Sequence, residues 1–218
     1  MESNNNSILM NASRSSVFFS HYPHGYEDRE GIPVPNNRSD GSWTVLQAYA
    51  YVTSEKAKGI TQELRRMVDF RLAHPEEQDI ENREKNYKML WFEQVTFGGL
   101  FRYRRTQDLS RPSGLITIDI DGLASMEEAR TVQQILIQDT WLETALCFVS
   151  PRGRGVKWVV TIPPSEKKQT FRDVFDAIYN HLVFEYGIVA DTSGSDISRS
   201  CFLPWDEHCY INPKFLSE

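Results

Sequence analysis

Residues 115–122 read LITIDIDG, an apolar run with aspartates at two alternate positions. On a β-strand, Asp119 and Asp121 share one face, while Ile118 and Ile120 share the other. Carboxylates held side by side repel, and a cation or a basic ligand offsets that repulsion. Such a pair can hold Mg²⁺ or Mn²⁺ and still leave coordination positions for a triphosphate and water. The plainer alternative is an acidic strand end that caps the next helix or pairs with arginines.

Two further stretches carry complementary chemistry. SPRGRGVKW, residues 150–158, sets Gly153 and Gly155 in a turn with Arg152 and Arg154, and Lys157 follows on the next strand. Backbone N–H groups, guanidinium forks and a lysine point charge together suit phosphate. The order GxxxxGK[ST] is absent, so this is not a Walker-type loop; the alternative is a solvated basic hairpin. In ADTSGSDISRS, residues 190–200, either Asp191 or Asp196 could complete a three-carboxylate metal site. Arg199 could meet a phosphate or one of those acids. A Ser-rich turn capping a short helix is the alternative there. Acids for metal and bases for phosphate form the inventory of phosphoryl or nucleotidyl transfer. The five histidines lie outside these stretches, and His21 and His24 have no nearby third ligand for zinc.

These residues need a scaffold, and the patterning supplies one. LITIDID (115–121), TALCFVS (144–150) and VKWVVTI (156–162) read as strands, the last two joined as a hairpin by PRGRG. Residues 125–138 open on Ser125 and Glu128, a capping-box pattern, and continue as an amphipathic helix. A long helix is expected from Ser165 to Tyr186, closed by Gly187. Earlier, 17–20 suggests a short strand and 21–43 a loop. Helices are expected at about 43–50 and from Ser54 onward, 81–91 reads as either another short helix or an approach to a strand, and 92–102 as a broken strand. The tail brings loops and one short strand. The fold class is α/β (α+β): a mixed or antiparallel central sheet flanked by helices.

The 218 residues suffice for one substantial core. A net charge of −6 excludes a polybasic coating of DNA but not a local nucleic-acid site. Three cysteines without a CxxC pair argue for a reducing cytosol, and no apolar stretch approaches a membrane span, so a cytoplasmic protein with no membrane partner is expected. Residues 1–16, rich in Asn and Ser, read as a flexible N-terminus, and 17–218 as a single domain. Within it, 17–90 is a variable helical and loop portion and 91–210 the motif-bearing sheet portion.

With IDID at 118–121, SPRGRGVKW and VAD at 189–191, the chain resembles the archaeo-eukaryotic primase superfamily of primases and primase–polymerases. Adding TFGGLF (96–101), SGLITIDIDGL (113–123) and DTSGSDISRSCFLPWDE (191–207), it is similar to a narrower group. That group is the primase-like N-terminal domain of virulence-associated-E-type, BT4734-like proteins of Bacteroides-type mobile elements. The resemblance implies a primase–polymerase-like catalytic fold, Mg²⁺ or Mn²⁺, a nucleoside triphosphate, a single-stranded DNA template, and a helicase domain or partner. Carried over by position, Asp119 and Asp121 would bind metal and Asp191, or Asp196 in its place, would complete the site. Ser150, Arg152, Arg154 and Lys157 would face the triphosphate with Arg199 beside them. Lys157 stands where catalytic primases of this superfamily place a histidine. Lysine is a differently directed point charge, so nucleotide binding survives that exchange better than efficient polymerisation. Two functions follow: nucleotidyl transfer, or a non-catalytic domain that binds nucleotide or single-stranded nucleic acid and assists replication or mobilisation of an element. Trp91, Phe97, Phe101, Tyr103 and Trp158 are candidates to stack bases, although aromatics near strands are more often core.

Overall fold

Thr44, Ser54, Ser125 and Thr170 each stand one residue before a helix, and each side-chain oxygen accepts the backbone N–H three residues on. The computed structural model describes residues 17–162 and 170–217. The helices are α1 (Val45–Val52), α2 (Glu55–Ala73), α3 (Ile80–Trp91), α4 (Met126–Ile137) and α5 (Phe171–Tyr186). The helix expected from Ser165 begins at Phe171, because Thr170 and Asp173 form a reciprocal capping box. Residues 165–169 of that expectation, and the expected flexibility of 1–16, lie outside the described residues. At α4 the box is shifted: Ser125 caps the Glu128 N–H, but the Glu128 carboxylate takes the N–H of Ala124. Gly187 closes α5 with a φ of 65°, a left-handed conformation that glycine adopts without a Cβ penalty.

Four short strands precede α1: β1 (Phe19–Tyr22), β2 (Tyr26–Glu27), β3 (Pro33–Val34) and β4 (Gly41–Trp43). The segment expected to be loop therefore contributes strand pairs. After α3 come β5 (Gln94–Thr96), β6 (Gly99–Phe101) and β7 (Leu109–Pro112). Next are β8 (Leu115–Asp121), β9 (Thr144–Val149) and β10 (Gly155–Thr161), then β11 (Cys201–Phe202) and β12 (Tyr210–Ile211). The one short strand expected within 188–207 is β11, and β12 follows beyond that stretch. Two antiparallel four-stranded sheets organise the chain, in the orders β11-β5-β1-β4 and β12-β9-β10-β8. The fold is mixed α/β.

The period of two along β8 divides its neighbours. Ile116, Ile118 and Ile120 join a core with α4 and α5 through Val132, Leu136, Phe175, Ile178 and Leu182. Leu115 belongs to the opposite core, with Phe148 and Val159 of the same sheet, Phe19 and Val95 of the first sheet, and Phe97 just after β5. Asp119 and Asp121 lie in phase with Leu115, so they emerge on the face turned toward the first sheet. Phe97, Phe101 and Trp158 are buried and serve the core rather than stacking bases, and the Trp158 indole N–H donates to Thr144 Oγ1 at 2.8 Å. Among the described residues no helix is long and apolar enough to cross a membrane.

The first sheet is pinned by an ionic network centred on the buried His21 and Glu93. His21 on β1 bonds Asp40 at 2.7 Å and Glu93 at 2.8 Å, Lys56 pairs with Glu93 at 2.8 Å, and Trp43 stacks on the imidazole. Burial alone would lower the His21 pKa, but the bonds to Glu93 and Asp40 outweigh it and raise it above 6.5. Burial alone would raise Glu93, yet the hydrogen bonds from His21 and Lys56 bring it to about 2. The His21 contribution is therefore complete below 6.5 and lost as pH rises through its folded value. That of Glu93 is complete above 4.5 and lost as pH falls toward 2. A His21→Gln variant should melt below the wild type near pH 6, the gap narrowing steadily toward about pH 9, where an ordinary imidazole is neutral. Thermal melts across that range check it.

Candidate metal centre

Register places the charges. In the β8–β10 pairing Asp119 faces Lys157 and Asp121 faces Gly155. The Asp191 N–H donates to the Asp119 carbonyl at 2.7 Å, which stitches the tail onto β8. As a result, one carboxylate oxygen from each of Asp119, Asp121 and Asp191 lies within 4.8 Å of the others. Asp191 caps the 3₁₀ turn Thr192–Ser195, accepts from Ser193 Oγ at 2.6 Å, and has Arg199 at 3.8 Å. Asp196 bonds Thr106 and Ser198 instead and is not in this cluster.

The electrostatics fit a cation. Burial pushes the Asp119 carboxyl up; Lys157 opposes it, and the charges of Asp121 and Asp191 push it further. Burial alone would lower Lys157, but Asp119 leads the groups that outweigh it, and its ammonium is held firmly protonated in an ion pair with Asp119 Oδ2. The hydroxyl of Ser193 holds Asp191 below the usual carboxylate range. Lys157 and the more distant Arg199 against three carboxylates still leave an excess of negative charge. Asp119 Oδ1 is moreover buried with no hydrogen-bond partner among the described residues. An all-oxygen donor set with an orphaned lone pair suits a hard divalent ion such as Mg²⁺ or Mn²⁺.

The turn between β9 and β10 abuts this cluster. The Ser150 N–H donates to the Gly155 carbonyl at 2.8 Å, and the Gly153 N–H to the Ser150 carbonyl at 2.9 Å. Arg154 Nε reaches the Leu123 carbonyl at 3.1 Å, tying the turn to the end of β8. Gly155 permits the approach: a Cβ there would press on the Ile120 carbonyl and lie 2.9 Å from Asp121 Oδ1 and 3.1 Å from Ser150 Oγ. Gly155→Ala should cost about 1–3 kcal/mol by overpacking and displace Asp121, so that a denaturant melt and a metal titration both weaken.

Beside the acids lies a cleft of about 570 Å³. Ser150, Arg152, Arg154, Lys157 and Arg199 line it, with Asp119 and Asp121. Arg71 of α2, Lys88 of α3 and Arg104 after β6 line it too, and these three were not among the residues expected from sequence. On a helix pattern Arg71 and Lys88 look like ordinary solvated charges, and nothing local marks them. Arg104 donates to Gln94 at 2.7 Å and Ser200 at 2.6 Å, which bridges β5 to the tail. Burial lowers Lys88 to about 8, with Arg152 and Lys157 adding to that effect.

Residues 88–211, more than half of the chain, match the family described as BT4734-like, N-terminal domain. No curated protein and no solved structure matches the chain.

Proposed function

The chain belongs to the BT4734-like, N-terminal domain family, and for it we propose metal-dependent nucleotidyl transfer of primase–polymerase type, using nucleoside triphosphates on a single-stranded DNA template. The convergence of Asp119, Asp121 and Asp191 beside a cleft rich in arginine and lysine carries this proposal. Mg²⁺ or Mn²⁺ held by the three aspartates would neutralise charge at the transferring phosphoryl group. Ser150, Arg154 and Arg199 line the cleft where they can bind phosphate oxygens. Lys157 holds Asp119 in place across the sheet. A helicase domain or partner that delivers the template belongs to the same proposal.

A non-catalytic domain that binds nucleotide or single-stranded nucleic acid is the alternative, and one observation favours it. Lys157 occupies one oxygen of Asp119, at the position where the resembling primases carry histidine. Two assays separate them: calorimetric titration of ATP with Mn²⁺, then primer extension on single-stranded DNA. Binding with extension supports transfer. Binding without extension supports the non-catalytic domain, and no binding overturns both nucleotide readings for the isolated chain.

A further inference from the structure

Glu84 sits on α3, one turn before Lys88, and is wholly buried. Burying a carboxylate is costly unless it is paired. Its partners are two arginines from separate elements. Arg71 Nε of α2 donates to Oε1 at 2.6 Å, and Arg152 Nε of the β9–β10 turn lies 2.8 Å from Oε2. The Arg152 contact is an ion pair outside hydrogen-bond geometry, so Arg152 Nε and Nη2 stay buried without a hydrogen-bond acceptor among the described residues.

One carboxylate against two guanidiniums leaves a surplus positive charge. Both arginines and Lys88 line the cleft, and the two guanidinium side chains are about one-third exposed or less, at 32% and 27%. Guanidiniums that keep part of their surface on a concave wall match an anion with several charged oxygens. Arg71 and Glu84 also lie before residue 88, where the family match begins.

We propose that Glu84 is a positioning residue: it holds Arg71 and Arg152 as a two-sided clamp which, with Lys88, takes the phosphate tail of a nucleoside triphosphate. The clamp rests on the nucleotide-binding proposal above. It adds that the α2–α3 pair builds half of the phosphate wall and sets the preference for three phosphates over one.

The test is the ratio of ATP to AMP affinity with Mn²⁺, measured by calorimetry for the wild type, Glu84→Gln, Arg152→Ala and their double variant. Glu84→Gln and Arg152→Ala should each weaken ATP about tenfold, the scale of a charge-assisted hydrogen bond, and leave AMP unchanged. The double variant should lose less than the sum, because Glu84 acts partly through Arg152. Equal losses for ATP and AMP, or additive losses, would mean a merely structural role and overturn the clamp. If Glu84→Gln does not fold, Arg71→Ala and Arg152→Ala, both partly exposed, carry the same ratio. A wild type that binds ATP no better than AMP removes the clamp and leaves nucleotide binding standing. A wild type that binds neither removes nucleotide binding, and the clamp with it.

Discussion

Alanine at both Asp119 and Asp121 should abolish Mn²⁺-dependent ATP binding, a loss of at least about a hundredfold, or roughly 2.7 kcal/mol. The three carboxylates converge within 4.8 Å, and removing two leaves Asp191 alone, already engaged by Ser193 and near Arg199. Calorimetry on wild type and double variant reads the effect. Asp119→Ala also strands Lys157, whose side chain is only 12% exposed, so part of any change could be folding. Asp121→Asn separates the two. Asp121 lies exposed at the end of β8, and its charge pushes the Asp119 carboxyl up. The single amide should therefore weaken Mn²⁺ while leaving the melting temperature unchanged or slightly higher. A variant that binds Mn²⁺ and ATP like the wild type would remove the metal centre from this strand.

The second large effect is expected at Lys157→Met. Lys157 and Asp119 face each other across β10 and β8, with side chains 12% and 17% exposed. Breaking one partner of a buried pair costs about 3–5 kcal/mol, because the other charge stays desolvated. Here the remaining carboxylate also faces Asp121 and Asp191. The direction with pH follows from proton binding. Asp119 has a folded pKa above its ordinary 3.8, so the folded chain binds its proton more tightly and that contribution to stability falls as pH rises through the folded value. Losing Lys157 removes the main opposing charge and steepens that fall. Urea melts should show Lys157→Met most destabilised at alkaline pH, with recovery in acid and on adding Mn²⁺, which replaces the missing positive charge. A deficit indifferent to pH and to Mn²⁺ would assign Lys157 a packing role only.

Much of the fold was legible because its signals are local. The alternation in LITIDID placed a seven-residue strand at its observed limits. Ser54 and Ser125 marked helix starts through their own hydrogen bonds, and Gly187 marked a helix end. The turn between Ser150 and Gly155 was legible from its glycines. The region 21–43 was less so: β2, β3 and β4 are two or three residues long, and although β2 pairs with β3 and β4 with the neighbouring β1, no run of β-formers marks them.

Local sequence is enough for the strand that carries Asp119 and Asp121 on one face, the basic turn between β9 and β10, and the helices around them. Each depends on backbone preferences and side-chain periods within a few residues. The remaining features depend on how distant segments pack. A backbone bond from Asp191 to Asp119 chose which tail aspartate joins the pair. The β8–β10 register paired Lys157 with Asp119. The packing of α2 against α3 brought Arg71 and Lys88 to the cleft and buried Glu84 against Arg71 and Arg152. These partners are distant in sequence, and the energy that selects them, burial of charge against its counter-charge, exists only once the chain has closed around them.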